Sequence, residues 1–137
     1  MVFIDTNVFV YAHDATDPEK TLRARKLLTE LTATKSGCIS TQVLHEFCNV
    51  ALKLSAVPLK AADVREIVRE LLIPLLAHRP DGPFYIRVLE TFEKYSLSFY
   101  DAMVVQAAID LQCTRLYSED MQAGAKYGKV TVINPFA

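Results

Sequence analysis

Val2-Phe3-Ile4-Asp5-Thr6-Asn7 stands directly behind Met1 and anchors the fold. Three apolar residues in a row, two β-branched and one aromatic, do not alternate with polar ones, so the run reads as a buried strand. It ends on a polar triplet that reads as the loop leaving that strand. Polar groups thus collect at the strand's carboxyl end.

Outward from this stretch, strand and helix alternate. Asp17 before Pro18 is an N-cap followed by a first-turn proline, and Ala24, Leu27, Leu28 and Leu31 recur at helical spacing toward Gly37. Cys38-Ile39-Ser40 reads as a second strand. Thr41 can cap the next helix, whose apolar face is Val43, Leu44, Phe47, Val50, Ala51 and Leu54, and Pro58 punctuates it. Val64, Ile67, Val68, Leu71 and Leu72 mark a third helix up to Pro74, and Ile73 to Ala77 reads as a short edge strand. After the loop from His78 to Pro83, Phe84 to Tyr95 resumes a helical pattern through Ile86, Leu89 and Phe92. Ser98 opens a helix through Ala102, Val105, Ala108 and Ile109, and strands are expected at Arg115 to Ser118 and Val130 to Ile133.

Short strands separated by helices predict an α/β fold, with a short, mainly parallel sheet flanked by helices on both faces as a three-layer sandwich. In such sheets the site lies beyond the carboxyl ends of the strands, where strand order reverses. The residues just after Ile4, Ile39 and Tyr117 therefore matter most.

Composition bounds what the site can serve. A chain of 137 residues fits one domain, and 51% hydrophobic against 23% charged residues excludes intrinsic disorder. Fifteen Lys and Arg against sixteen Asp and Glu exclude a broadly basic nucleic-acid binder, so any polyanion site must be local. Three cysteines, Cys38, Cys48 and Cys113, without C-x-x-C spacing read as buried thiols in a reducing compartment. Asp5 interrupts the first apolar run, no basic segment precedes it, and the longest uncharged apolar run, 71–77, is far too short to span a bilayer. A cytoplasmic protein without membrane contact is expected.

Acids stand at the expected edge: Asp5 after the first strand, Glu119-Asp120 after the strand ending near Tyr117, and Glu46 and Asp101 early in helices that start there. Each has a plainer reading. Asp5 could cap a turn, Glu46 could sit on a solvated flank beside Gln42, Asn49 and Lys53, and Asp101 completes a capping-box pattern with Ser98. If the acids converge, however, like charges at close range disfavour ionisation unless cations neutralise them. An all-oxygen set without clustered His or Cys selects Mg²⁺ or Mn²⁺ before Zn²⁺. His13 and His45 belong to no zinc-binding pattern and read as surface or packing residues, and His78 as a loop residue without a partner.

At these positions the sequence resembles the PIN-domain ribonucleases, especially the toxin halves of VapBC-type toxin–antitoxin pairs. The resemblance rests on Val2 to Asn7, Glu46 in the helix after the second strand, Tyr100-Asp101-Ala102, and Leu116-Tyr117-Ser118-Glu119-Asp120. It covers nearly the whole chain, including the closing Asn134-Pro135-Phe136. It implies a metal-dependent endoribonuclease in which Asp5, Asp101 and Asp120 bind Mg²⁺ or Mn²⁺, with Glu46 completing the set directly or through water. Thr6, Asn7 and Ser118 would support these carboxylates, and Glu119 falls at a variable position between the hydroxyl and the last acid. The resemblance also implies an RNA substrate and a cognate antitoxin protein covering the acidic groove.

Arg79, Lys53, Arg87 and Lys94 are candidate backbone contacts for RNA. The aromatic residues Tyr95, Phe99 and Tyr100, at a helix junction, are expected in the core rather than as a base-stacking platform. The apolar faces of the first two long helices exceed what one small domain buries, which predicts a homodimer. Two other readings compete. An aspartyl-phosphate phosphotransferase would need a second acid where Asn7 stands; an inactive PIN-like scaffold binding RNA or a protein would not need all four acids.

Overall fold

A computed structural model of the chain describes residues 1–53 and 59–137. Leu54 and Pro58, expected on the helix face and as its punctuation, lie outside the described residues. Val2–Ile4 forms β1, wholly buried. It does not empty into a loop: α1, Thr6–His13, starts at once, with Asp5 as its N-cap. The reason is local. The Asp5 carboxylate accepts the Thr6 N–H, and Val8, Phe9 and Ala12 then fall on one buried face.

The helix expected after Asp17 is α2, Pro18–Thr34; the Asp17 carboxylate accepts the Lys20 N–H at 3.2 Å. It stops at Lys35, which takes the left-handed conformation at φ 54°, before β2, Gly37–Ser40. Gly37 sits in a tight place, where a Cβ would stand 3.0 Å from Ile4 Cδ1 and 3.3 Å from Leu31 Cβ, so a larger residue would have to displace them. Ser40, not Thr41, caps α3, Thr41–Ala51, through a bond from the Val43 N–H; Val43, Phe47 and Ala51 are its buried face.

The region from α4 to the next strand departs furthest from expectation. α4, Ala61–Ile67, passes through a π-helical segment, Val68–Leu72, into one further turn, α5, Ile73–Leu75. Pro74, which has no N–H to donate, follows this wide segment, in which the Ile73 N–H bonds to the Val68 carbonyl, and the helix gives way to strand at Leu76. The edge strand is therefore β3, Leu76–His78, rather than beginning at Ile73. Asp81 caps α6, Gly82–Tyr95, which buries Phe84, Val88 and Thr91. Ile86, Leu89 and Phe92, whose spacing marked the helix, form an exposed stripe with Tyr85. Both stripes have helical spacing, so periodicity alone does not choose between them. On α2, by contrast, Leu22 is the exposed large hydrophobic residue.

α7, Phe99–Asp110, leads to β4, Arg115–Tyr117, then β5, Lys126–Tyr127, and β6, Val130–Ile133. The two-residue β5 was not expected from the sequence. The sheet order is β3-β2-β1-β4-β6-β5, parallel except for the antiparallel β5–β6 pair. It is the α/β three-layer arrangement that the alternation of elements implied, with α1 packed on α2 and α3, and α6 on α7. The chain builds outward from β1 through β2 to β3, then crosses back to place β4 on the other side of β1. Strand order thus reverses at β1, and the crevice beyond Ile4 is the switch point.

His78 is buried on β3, its Nε2 3.1 Å from Asp110 Oδ2, so it has the partner the sequence did not reveal. His13 packs against Phe47, and His45 is exposed. Cys38 and Cys113 are buried with sulfurs 3.4 Å apart, and Cys48 is half-buried. Among the described residues no helix is long and apolar enough to cross a membrane.

Candidate active site

Asp5 sits where β1 becomes α1, and two donors hold its carboxylate. Oδ1 accepts the Thr6 N–H at 2.8 Å and Oδ2 accepts the Ser118 hydroxyl at 2.8 Å. Ser118 is buried at the end of β4, adjacent to β1, so parallel pairing delivers both side chains to one edge. Burial nevertheless pushes the Asp5 carboxyl from 3.8 up to about 6, because desolvation outweighs those two hydrogen bonds and the charges of Glu46 and Asp101 add to it.

Glu46 is half-buried on the second turn of α3, and both of its oxygens are engaged. Oε2 accepts the Thr6 hydroxyl at 2.7 Å, and Oε1 accepts the Gln42 amide at 3.0 Å. That removes the reading of a solvated surface glutamate. The same Gln42 nitrogen donates to the Tyr100 carbonyl at 3.3 Å, tying α3 to the start of α7.

Asp101 lies in the first turn of α7. Ser98 caps the helix by accepting the Asp101 N–H at 3.2 Å, yet among the described residues the Asp101 carboxylate takes no hydrogen bond. The capping box is thus half formed, and the acid is left to the cleft. Asp120, in the segment after β4, is exposed, and its Oδ2 lies 3.4 Å from Asn7 Nδ2.

The four acids line one cleft of about 430 Å³, together with Thr6 and Asn7. Its walls include Tyr11, Gln42, Val50 and Tyr100. No lysine or arginine lines it among the described residues. Arg87 instead grips Asp110 with two nitrogens, at 2.8 and 3.2 Å, and Lys94 lies over the Tyr95 ring. Lys53 and Arg79 are likewise not among the lining residues.

Sequence reasoning missed part of the setting. Glu119 does not line the cleft itself but accepts the hydroxyl of Tyr11, a cleft-wall residue, at 2.7 Å and pairs with Lys20 at 3.0 Å. Gln42 was seen only as a neighbour of Glu46. Glu119's role leaves no mark in local spacing, because Tyr11 and Lys20 come from other elements, whereas the i,i+4 spacing of Gln42 and Glu46 on α3 could have signalled their bond. Phe99 and Tyr100 are exposed, not core, and Tyr100 reaches the cleft; Tyr95 is the packed one, edge-on to Tyr127.

The donor set fits a hard divalent cation in kind: four carboxylates, a hydroxyl and an amide oxygen. Asn7 Oδ1, buried and without a hydrogen-bond donor, leaves an acceptor in the cleft unsatisfied. Among the described residues, however, no three acidic, imidazole or thiol groups already stand close enough together to hold an ion. The acids share a cleft without forming a closed cage.

Comparison with known proteins agrees with this architecture. Among curated proteins none matches the chain. Among solved structures, FitAcB from Neisseria gonorrhoeae is similar at 18% identity, covering 99% of each chain with a TM-score of 0.65. A toxin–antitoxin complex from Klebsiella pneumoniae is similar at 16% identity over 98% of each chain, also at 0.65. VapC20 of Mycobacterium tuberculosis, described as a sarcin-ricin loop cleaving toxin, is 18% identical, covering 88% of this chain and 90% of its own, with a TM-score of 0.64. At these identities the likeness establishes the fold. The family profile of the PIN domain, however, matches residues 2–127, nearly the full length. On that match, this chain belongs to the PIN domain family.

Proposed function

We propose that the protein is a metal-dependent endoribonuclease acting as the toxin of a toxin–antitoxin pair. The observation that carries this reading is the convergence of Asp5, Glu46, Asp101 and Asp120, from four separate stretches of the chain, on one cleft at the switch point, with no basic residue lining it among the described residues. An RNA phosphate cannot approach four carboxylates unless cations offset their charge. Mg²⁺ or Mn²⁺ held by Asp5, Asp101 and Asp120, with Glu46 directly or through water, would stabilise charge on the phosphate and activate water for attack.

The chain's own residues supply orientation. Ser118 and the Thr6 N–H hold the Asp5 carboxylate, and the Thr6 hydroxyl and Gln42 hold Glu46. Asn7 reaches toward Asp120. These bonds keep the carboxylate oxygens aimed before any ligand arrives, the role outer-shell partners play in metal sites generally. The absence of a lysine among the described lining residues weighs against phosphoryl transfer through an aspartyl phosphate.

The toxin part of the reading is supported by the solved structures that share the fold, which include a toxin–antitoxin complex and a toxin described by the RNA loop it cleaves. An antitoxin of complementary charge would cover this acidic cleft. Titration calorimetry with Mn²⁺ tests the metal reading: binding to the wild type that is lost in a folded Asp5→Asn variant supports it. Equal binding by both proteins would refute it.

A further inference from the structure

We propose that Glu119 is a positioning residue, which together with Tyr11 and Lys20 braces the segment carrying Asp120 against α1 and α2. The proposal rests on the nuclease reading for Asp120's role, while the brace itself stands on geometry.

The segment after β4 has few anchors of its own. The Ser118 N–H donates to the Ile133 carbonyl at 3.0 Å, and the Gly124 N–H to the Val132 carbonyl at 2.9 Å, so both ends are fixed to β6. Between them no helix or strand forms. Met121 is buried and holds one side. Asp120 is exposed and meets only a long 3.4 Å contact from Asn7 among the described hydrogen bonds.

Glu119 supplies the opposite anchor. Its Oε1 accepts the Tyr11 hydroxyl at 2.7 Å, and its Oε2 lies 3.0 Å from the Lys20 ammonium. Lys20 also donates to the Tyr11 hydroxyl at 3.4 Å and sits over the Tyr11 ring, 4.8 Å from its centroid. Phe136 packs edge-on against the same ring at 4.9 Å. Each member therefore touches the other two, and a third element seats the ring. The Tyr11 hydroxyl supplies the short, directional bond to the carboxylate, and Lys20 adds an ion pair at 3.0 Å without hydrogen-bond geometry. Glu119 and Asp120 are neighbours in a bend, so fixing Glu119 against Tyr11 and Lys20 restricts where Asp120, which lines the cleft, can point. Lys20 also offsets a carboxylate that would otherwise add to the negative field beside Asp120.

The test compares Tyr11→Phe, Glu119→Ala and Glu119→Gln in the full-length protein by two readouts. Tyr11→Phe removes one oxygen and keeps the ring against Phe136; Glu119→Gln keeps an acceptor for the Tyr11 hydroxyl. Amide hydrogen exchange on metal-free protein should accelerate about tenfold in residues 118–122 for Tyr11→Phe and Glu119→Ala, with α6 and α7 unchanged. RNA cleavage should show kcat reduced about tenfold with KM within about twofold, and Glu119→Gln should recover most of both effects. Unchanged exchange, or exchange rising evenly over the chain, would overturn the brace. Faster local exchange with unchanged kcat would overturn its positioning role. If the wild type cuts no RNA with any metal, the nuclease reading and the positioning role fall together, and the exchange arm still decides whether the brace exists.

Discussion

The hydroxyl of Ser118 donates to the carboxylate of Asp5 at 2.8 Å, joining residues 113 positions apart across the ends of two adjacent parallel strands. β1 and β4 are neighbours because the chain crosses back over β1 after building β2 and β3. The topology thus makes the bond, and the bond aims the acid most deeply held in the cleft.

Replacing Ser118 by Ala should leave that carboxylate with one donor instead of two. The expected outcome is Mn²⁺ affinity lowered by roughly 10- to 100-fold, with Thr or Cys replacements intermediate. Calorimetry checks it; unchanged affinity would mean the Thr6 N–H suffices.

Asp5 also makes the metal-free protein sensitive to pH. Its carboxyl is raised from 3.8 to about 6, so between those values the folded protein holds a proton that the unfolded chain has released. Stability from this group is present below about pH 4 and is lost as pH rises through about 6, amounting to up to about 3 kcal/mol. Asp5→Asn keeps an acceptor for the Thr6 N–H and removes the charge. Urea titrations of both proteins in EDTA should show the variant gaining on the wild type across that window, and a variant clearly less stable at pH 7 would contradict it.

Gln42→Ala should free Glu46 on one side and cut the tie from α3 to the Tyr100 carbonyl. Cleavage is expected to fall about tenfold, with thermal stability changed little because Gln42 lies at the cleft rather than in the core. A loss of stability as large as a core deletion would show that the tie is structural instead.

Arg87 separates stability from function. Burial alone would raise the Asp110 carboxyl, but bonds from Arg87, Gln106 and His78 outweigh it and hold it below the ordinary carboxylate range. Arg87→Met should lower Tm near neutral pH, and the difference from wild type should shrink as acid protonates Asp110. RNA binding should not change, since Arg87 does not line the cleft.

Much of this architecture was legible in the sequence. The apolar run Val2 to Ile4, the Asp17-Pro18 start and the Val130 to Ile133 strand each carry a local cause, and each formed where that cause put it. α1 was hidden because its first residue is also the polar exit of β1, and Asp-Thr-Asn suits a turn as well as a cap. The inward face of α6 was not legible, because two apolar stripes share one helix. Asp5 and Asp120 stood out by their place after strands, Glu46 and Asp101 only as acids early in helices that start at the same edge. The contacts that set them, Ser118 to Asp5, Thr6 to Glu46 and Tyr11 to Glu119, join residues 113, 40 and 108 positions apart, and no local pattern records such pairs.

Tyr100 is a further case. A residue of its type at a helix junction suggests core, yet it stands 66% exposed on the cleft wall beside Asp101. If an unpaired base stacks there, Tyr100→Ala should weaken binding of a single-stranded oligonucleotide by roughly ten- to a hundredfold, and Tyr100→Phe should not. Equal binding by all three proteins would assign the ring no such part.

The most direct measurement is cleavage of a mixed RNA by purified protein in EDTA, Mg²⁺ or Mn²⁺, beside Asp5→Asn and Asp101→Asn purified identically. The account predicts cutting by the wild type with either metal, none in EDTA, and none by either variant. Cutting that persists in EDTA or in both variants, or no cutting by a wild type that is free of any bound inhibitor, would contradict it.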